Sequence, residues 1–271
     1  MNDEKKYLIW TVMLLLLLSG CKELRSEKKD AEKNSYGRIN IDAVIEEDTA
    51  KISDSVLVRY SSKLLWFPDV EDEKLLKEIY EGKQISDFSK NGLEAHLKQE
   101  KQNVYDRMMN SGNLSEVKQQ QEWSYISQMN VRMNKNNYVS VQYYENESGA
   151  EKSRYHYEEK VFDFKNKKKL RLSDIVVLSE ETVRRILRLS LERTTMMQQI
   201  KTYDREAYNI LSAVTFPVTK NFYFDDLNLY FHYNMNEIAH DYDIGDIILT
   251  VSWDDLSGYI KPDFARRMKI N

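Results

Sequence analysis

The sequence is poor in the residues on which many specialised folds and chemistries depend. It contains one cysteine, three prolines, eight glycines and four histidines in 271 residues. A lone thiol, Cys21, excludes a disulfide framework, a multi-cysteine zinc site and an iron–sulfur cluster. So little proline and glycine excludes collagen-like and low-complexity chains. Charge of one sign is missing too. The 40 Lys and Arg stand against 44 Asp and Glu, a formal charge of −4, so the basic footprint of a nucleic-acid-binding protein is absent. What the chain does have is a 41% hydrophobic content and 18 tyrosines against 9 phenylalanines, enough for a proper core with half-buried aromatic surfaces.

One long apolar run is present, Tyr7 to Leu18, preceded by Lys5 and Lys6 and followed by Ser19-Gly20-Cys21. A helix of that length rises about 18 Å, short of the roughly 30 Å hydrocarbon core, so the run reads as an export signal and not a spanning helix. The small residues before the cysteine resemble the lipobox of bacterial lipoproteins. That resemblance implies removal of residues 1–20 and acylation of Cys21, which would anchor the protein to a membrane of the cell envelope, the outer membrane or the cell surface. The charged segment that follows, Lys22 to Asn34, reads as a solvated tether, and residues 21–52 together are assigned to the lipidated cysteine and tether. Residues 1–50 are expected to stand apart from the core.

Periodicity organises the remainder. Val56, Val58 and Tyr60 alternate toward Trp66, and Pro68 ends the strand. Leu75, Leu76, Ile79 and Tyr80 recur at helical spacing, and a second helix is expected from Gly92 through Leu93, Leu97, Val104 and Met108. From Trp123 the period becomes two. Strands over 125–133 and 138–144 flank the turn Asn134-Lys135-Asn136-Asn137, and a third runs over 155–164. Ser179 with Glu180 and Glu181 opens the clearest helix, 179–195, with Val183, Ile186, Leu187 and Leu191 facing inward. Segments 218–224 and 227–233 form a hairpin through Asp225-Asp226, and 246–252 is the last strand. Strands and helices in blocks predict an α+β fold with a mostly antiparallel sheet packed against a few helices. The 179–195 helix is expected on a sheet that contains 155–164, 222–233 and 246–252.

Val161-Phe162-Asp163-Phe164, Lys169 to Ile175, Asn221-Phe222-Tyr223-Phe224, Leu229 to Asn234, Glu237-Ile238-Ala239 and Val251 to Leu256 stand in the order used by the DUF3298 family, also called RsiV-like. Residues 54–120 resemble the DUF4163 region that commonly precedes it, in lipoproteins of a Bacteroidetes type. The resemblance implies a DUF4163-like part over 53–120 and a DUF3298-like part over 121–271, with 53–271 forming one globular unit. It also implies an extracytoplasmic binding or sensing role and supplies no catalytic residues. The chain departs from the family at Ser148 to Glu151, at Met235-Asn236 and at His240-Asp241, where Pro-Tyr is common.

No chemistry-bearing motif emerges from the residues. His96, His156, His232 and His240 lack ligand spacing, so no metal site is expected, nor any cofactor. His96 reads as half of a helical surface pair with Glu100. Asp241 to Asp246 opens like a calcium loop, but Ser252 stands where the bidentate Glu is required. No nucleophile elbow, P-loop or dinucleotide fingerprint is present. The expected function is therefore a lipid-anchored envelope protein whose domain binds an extracytoplasmic protein or a cell-wall glycan without catalysis. The rivals are an envelope hydrolase with a carboxylate pair formed in the fold, and a passive structural lipoprotein. The binding surface is placed on the loop His240, Asp241, Tyr242 and Asp243, which carries more polar chemistry than any other turn in the second half.

Overall fold

The computed structural model describes residues 37–110, 114, 117–149, 153–213, 215, 217–235, 237–238 and 245–270. The apolar run Tyr7–Leu18 expected to act as an export signal, Cys21 and residues His240–Asp243 lie outside the described residues. Among those described, no helix is long and apolar enough to cross a membrane.

Six strands form the main sheet in sequence order: β1 (Asp42–Lys51), β2 (Val56–Trp66), β3 (Gln121–Lys135), β4 (Tyr138–Ser148), β5 (Arg154–Asp163) and β6 (Lys168–Lys169). All neighbours run antiparallel except β2 and β3, whose connection holds α1 (Glu73–Ile79) and α2 (Lys90–Met109). The β3–β4 turn falls where the asparagines predict it. Asn136 and Asn137 both have positive φ, 55° and 60°, the mirror-image turn that suits twisted strands. One face of the sheet buries Leu64, Met129, Val141, Tyr143 and Phe162 under Leu75 and Ile79 of α1 and Leu93 and Leu97 of α2.

Three differences from the sequence reading concern this half. Residues 42–51 are not tether: β1 pairs with β2 along its whole length and is the edge of the sheet. Only Val44 of β1 is buried, and an acidic, exposed edge strand has the composition of a solvated linker. Helix α2 starts two residues before Gly92, because the Ser89 hydroxyl accepts the Gly92 N–H at 3.1 Å as an N-cap. Gly92 is needed there, since a Cβ would come within 2.3 Å of the Asp87 carboxyl carbon. Glu100 does not make a surface pair with His96. It accepts from the Tyr60 hydroxyl at 2.7 Å and the Ser62 hydroxyl at 2.9 Å, and so ties α2 to β2.

The second layer is helical first. A short turn α3 (Leu172–Ile175) leads to α4 (Glu180–Glu192), followed by α5 (Thr195–Tyr203) and α6 (Arg205–Ala213). Then β7 (Phe222–Phe224), β8 (Asn228–Tyr233) and β9 (Ile247–Ser252) form an antiparallel sheet of their own, and α7 (Pro262–Met268) closes the described chain. Helix α4 is capped by Ser179 and buries Val183, Leu187 and Leu191 in a core shared with Phe224, Phe231, Leu249 and Val251. Ile186 is half-buried at its margin. The expected supporting sheet is thus corrected: β5 belongs to the main sheet, and only β7, β8 and β9 form the second. Helices α5, α6 and α7 have no counterpart in the sequence reading. The whole is a single α+β domain with mostly antiparallel sheet.

Candidate functional site

The two sheets meet at the free edge of β5, and side-chain amides make the joint. The Tyr157 N–H donates to Asn234 Oδ1 at 2.6 Å, and the Tyr157 carbonyl accepts from Asn234 Nδ2 at 2.9 Å and Asn221 Nδ2 at 3.0 Å. The Glu159 N–H donates to Asn221 Oδ1. Two asparagines therefore present to the edge what a neighbouring strand would, and they satisfy backbone groups that would otherwise need water or another chain. Asn234 is itself held by Glu237, whose carboxylate accepts from the Asn234 N–H and side-chain amide, each at 3.1 Å.

Around this joint lies a buried polar and aromatic cluster. Pleating puts Tyr157 and Glu159 on the face that also carries Tyr144 and Gln142, because these are cross-strand partners in the β4–β5 register. Tyr144 stacks on Tyr157 with ring centroids 4.8 Å apart, and Tyr157 stacks on His232 of β8 at 4.9 Å. Burial raises the Tyr157 phenol above its ordinary value. The Glu159 side chain is 0% exposed, and its Oε1 meets Gln142 Nε2 at 2.9 Å, His232 Nδ1 at 3.1 Å and Arg132 Nη2 at 3.5 Å. Arg132 also lies over the Tyr223 ring at 5.3 Å, and Tyr223 stacks on Tyr230 at 4.6 Å. His232 Nε2 faces Asp246 Oδ2 at 3.4 Å.

On the other side of the β5 edge a groove of about 1130 Å³ opens between the two layers. Its floor includes Leu170, Val176, Val183 and Phe222, while Lys74, Glu81, Lys169, Asp174 and Lys220 stand among its charged lining. The paired rings of the cluster cover one another's faces, and the groove is the accessible surface beside them. Of the two groove carboxyls whose acidity is displaced, Glu81 is held below its ordinary value by Lys169 and Lys160. Asp174 is also held lower: burial opposes this, but Lys168 and the Arg171 N–H outweigh it.

The candidate residues His240–Asp243 lie outside the described residues. Of those that precede them, Asn234 and Glu237 line the groove and Ile238 is buried; of those that follow, Asp246 faces His232. His156 is exposed and lines the groove, whereas His232 is buried. Sequence reasoning did not assemble Asn221, Asn234, Glu159, Arg132 and His232. Asn221, Asn234 and Glu237 sit within the family-like stretches, and the available signal is that an asparagine stands immediately before β7 and another immediately after β8. Among the described residues no group of three potential metal ligands occurs.

A two-sheet α+β domain joined at one strand edge, with a groove along that edge, is the class that the fold and site define. The same architecture is found in a DUF3298 family protein from Bacteroides fragilis, with a TM-score of 0.62 and 17% identity over 86% of this chain and 98% of that one. A DUF3298 family protein from Pseudomonas aeruginosa matches with a TM-score of 0.58 and 18% identity, over 83% of this chain and 96% of that one. The chain thus has the fold of these DUF3298 proteins. No family model and no curated protein matches the sequence.

Proposed function

We propose that the protein is a lipid-anchored component of the bacterial cell envelope, of the DUF3298 or RsiV-like type with a DUF4163-like first part. In this reading its domain binds an extracytoplasmic protein or a cell-wall glycan without catalysis. The observation that carries the reading is the groove of about 1130 Å³ at the inter-sheet joint, lined by Asn234 and Glu237, which shortly precede His240, Asp241, Tyr242 and Asp243 in the sequence. A concave site with apolar residues and a few polar groups in its lining is the usual design of a binding site. Glu81 and Asp174 have lowered pKa values, the opposite of what a glycan-cleaving general acid requires, which weighs against either as the acid of a hydrolase.

Two experiments test the parts separately. Metabolic labelling with a palmitate analogue is expected to mark the wild-type chain and not Cys21→Ser; equal labelling of both removes the lipid anchor. Pull-down from envelope extract with the full chain is expected to capture a partner or glycan that His240→Ala with Tyr242→Ala loses by at least about tenfold, a change worth about 1.4 kcal/mol. Full retention by a variant with unchanged melting temperature moves the site elsewhere.

A further inference from the structure

We propose that His232 is a proton-operated latch at the inter-sheet joint, closed when its imidazolium, already held by Glu159 of β5, also donates to Asp246 ahead of β9. What the latch would regulate rests on the binding reading above; its geometry does not.

Both ring nitrogens face carboxylate oxygens. Nδ1 lies 3.1 Å from Glu159 Oε1 and Nε2 lies 3.4 Å from Asp246 Oδ2, with the His232 and Glu159 side chains 1% and 0% exposed. Glu159 Oε1 is the acceptor for Gln142 as well, so Nδ1 carries a hydrogen and donates to it. In the neutral ring Nε2 is then a lone pair turned toward another acceptor, and among the described residues it has no hydrogen-bond partner. A second proton makes Nε2 a donor to Asp246 and places a cation between two carboxylates. Among the described residues the groups that face the ring are Glu159 and Tyr157 from β5 and Asp246 ahead of β9. Arg132 from β3 is the opposing charge, and its contact with the cluster is through Glu159. The Glu159 contact joins β5 to β8 in either protonation state, and the closed latch adds Asp246, which ties the lead-in of β9 to that joint. Opening it at higher pH releases Asp246 from the joint.

The Nε2–H bond to Asp246 exists only while the ring carries its second proton, so its contribution to the fold is present at low pH and absent at high pH. The test is the melting temperature of the full chain in detergent, wild type minus Asp246→Asn, between about pH 5 and pH 8.5. The expected difference is about 2–4 °C in favour of wild type at the acid end, the equivalent of about 1 kcal/mol for a chain of this size, falling to zero or below at the alkaline end. Taking the difference cancels the other acid-sensitive pairs, and Asp246, with its side chain 37% exposed, tolerates the amide. In the His232→Gln background the Asp246→Asn change is expected to act equally at every pH; where His232→Gln does not fold, the first comparison decides alone. A wild-type advantage that is constant or grows with pH overturns the latch. So does a melting-temperature rise on adding zinc ions that Asp246→Asn abolishes, since a metal and not a proton would then sit between Nε2 and Asp246. Neither outcome depends on the pull-down, so failure of the latch and failure of the binding reading are separate results.

Discussion

Leu187→Asp is expected to leave the protein without a cooperative unfolding transition. Leu187 is fully buried on the inner face of α4, between Val183 and Leu191, in the core that also holds Phe224, Phe231 and Leu249. A carboxylate there has no partner, and burying an unpaired charge costs several kcal/mol against a total stability of about 5–15 kcal/mol. Near-UV circular dichroism and thermal melting check this. Leu187→Ala sets the scale, with an expected loss of about 2–5 kcal/mol from removed contacts and the cavity left behind. Arg185, one helical step around and exposed, tolerates Asp within about 0.5 kcal/mol. If Leu187→Asp melts like wild type, α4 does not pack as described.

The second large effect is at the C-terminal helix. Arg267 of α7 holds Asp163 of β5 with two bonds of 2.7 Å, donates to the Asn136 carbonyl at 3.1 Å and lies over the Tyr138 ring at 3.8 Å. Asp163 is 2% exposed. Arg267→Ala strands a buried carboxylate and is expected to cost about 3–5 kcal/mol, whereas a paired replacement of both residues by leucine costs much less. The pair also sets an acid limit. Burial pushes the Asp163 carboxyl up, but Arg267 and the two Asn166 donors outweigh it and hold the carboxyl below its ordinary value. A carboxyl lowered in the folded state contributes stability above the unfolded value of about 3.9 and loses it as pH falls. Wild type is therefore expected to lose melting temperature below about pH 4, and the gap between wild type and Arg267→Ala to close there. A gap that stays constant down to pH 2 assigns the acid sensitivity to other groups.

Much of the architecture was legible because it is written in local pattern. The β3–β4 hairpin follows from two adjacent asparagines that tolerate positive φ, and α4 follows from Ser179, two acidic residues and an apolar stripe at helical spacing. Where the same local signals weaken, so does the reading. Strand β1 buries one residue and carries four acids among the rest, so nothing but its pairing with β2 separates it from a tether. Helices α5 and α6 are nine residues each and bury only Met197, Ala207 and Leu211, so each offers its apolar face over little more than two turns.

The β3–β4 hairpin, α4 and the α+β class were thus decided by residue order, since each depends on neighbours within a few positions. The division into two sheets was not. It depends on Asn221 and Asn234 reaching β5 across 62 and 77 positions, and on amides substituting for a strand, which no periodicity encodes. The Glu159–His232 pair spans 73 positions and draws Arg132 and Asp246 into the same cluster. Such contacts are chosen by the closure of the whole chain, because a buried carboxylate and imidazole become compatible with the core only when packing brings their partners to them.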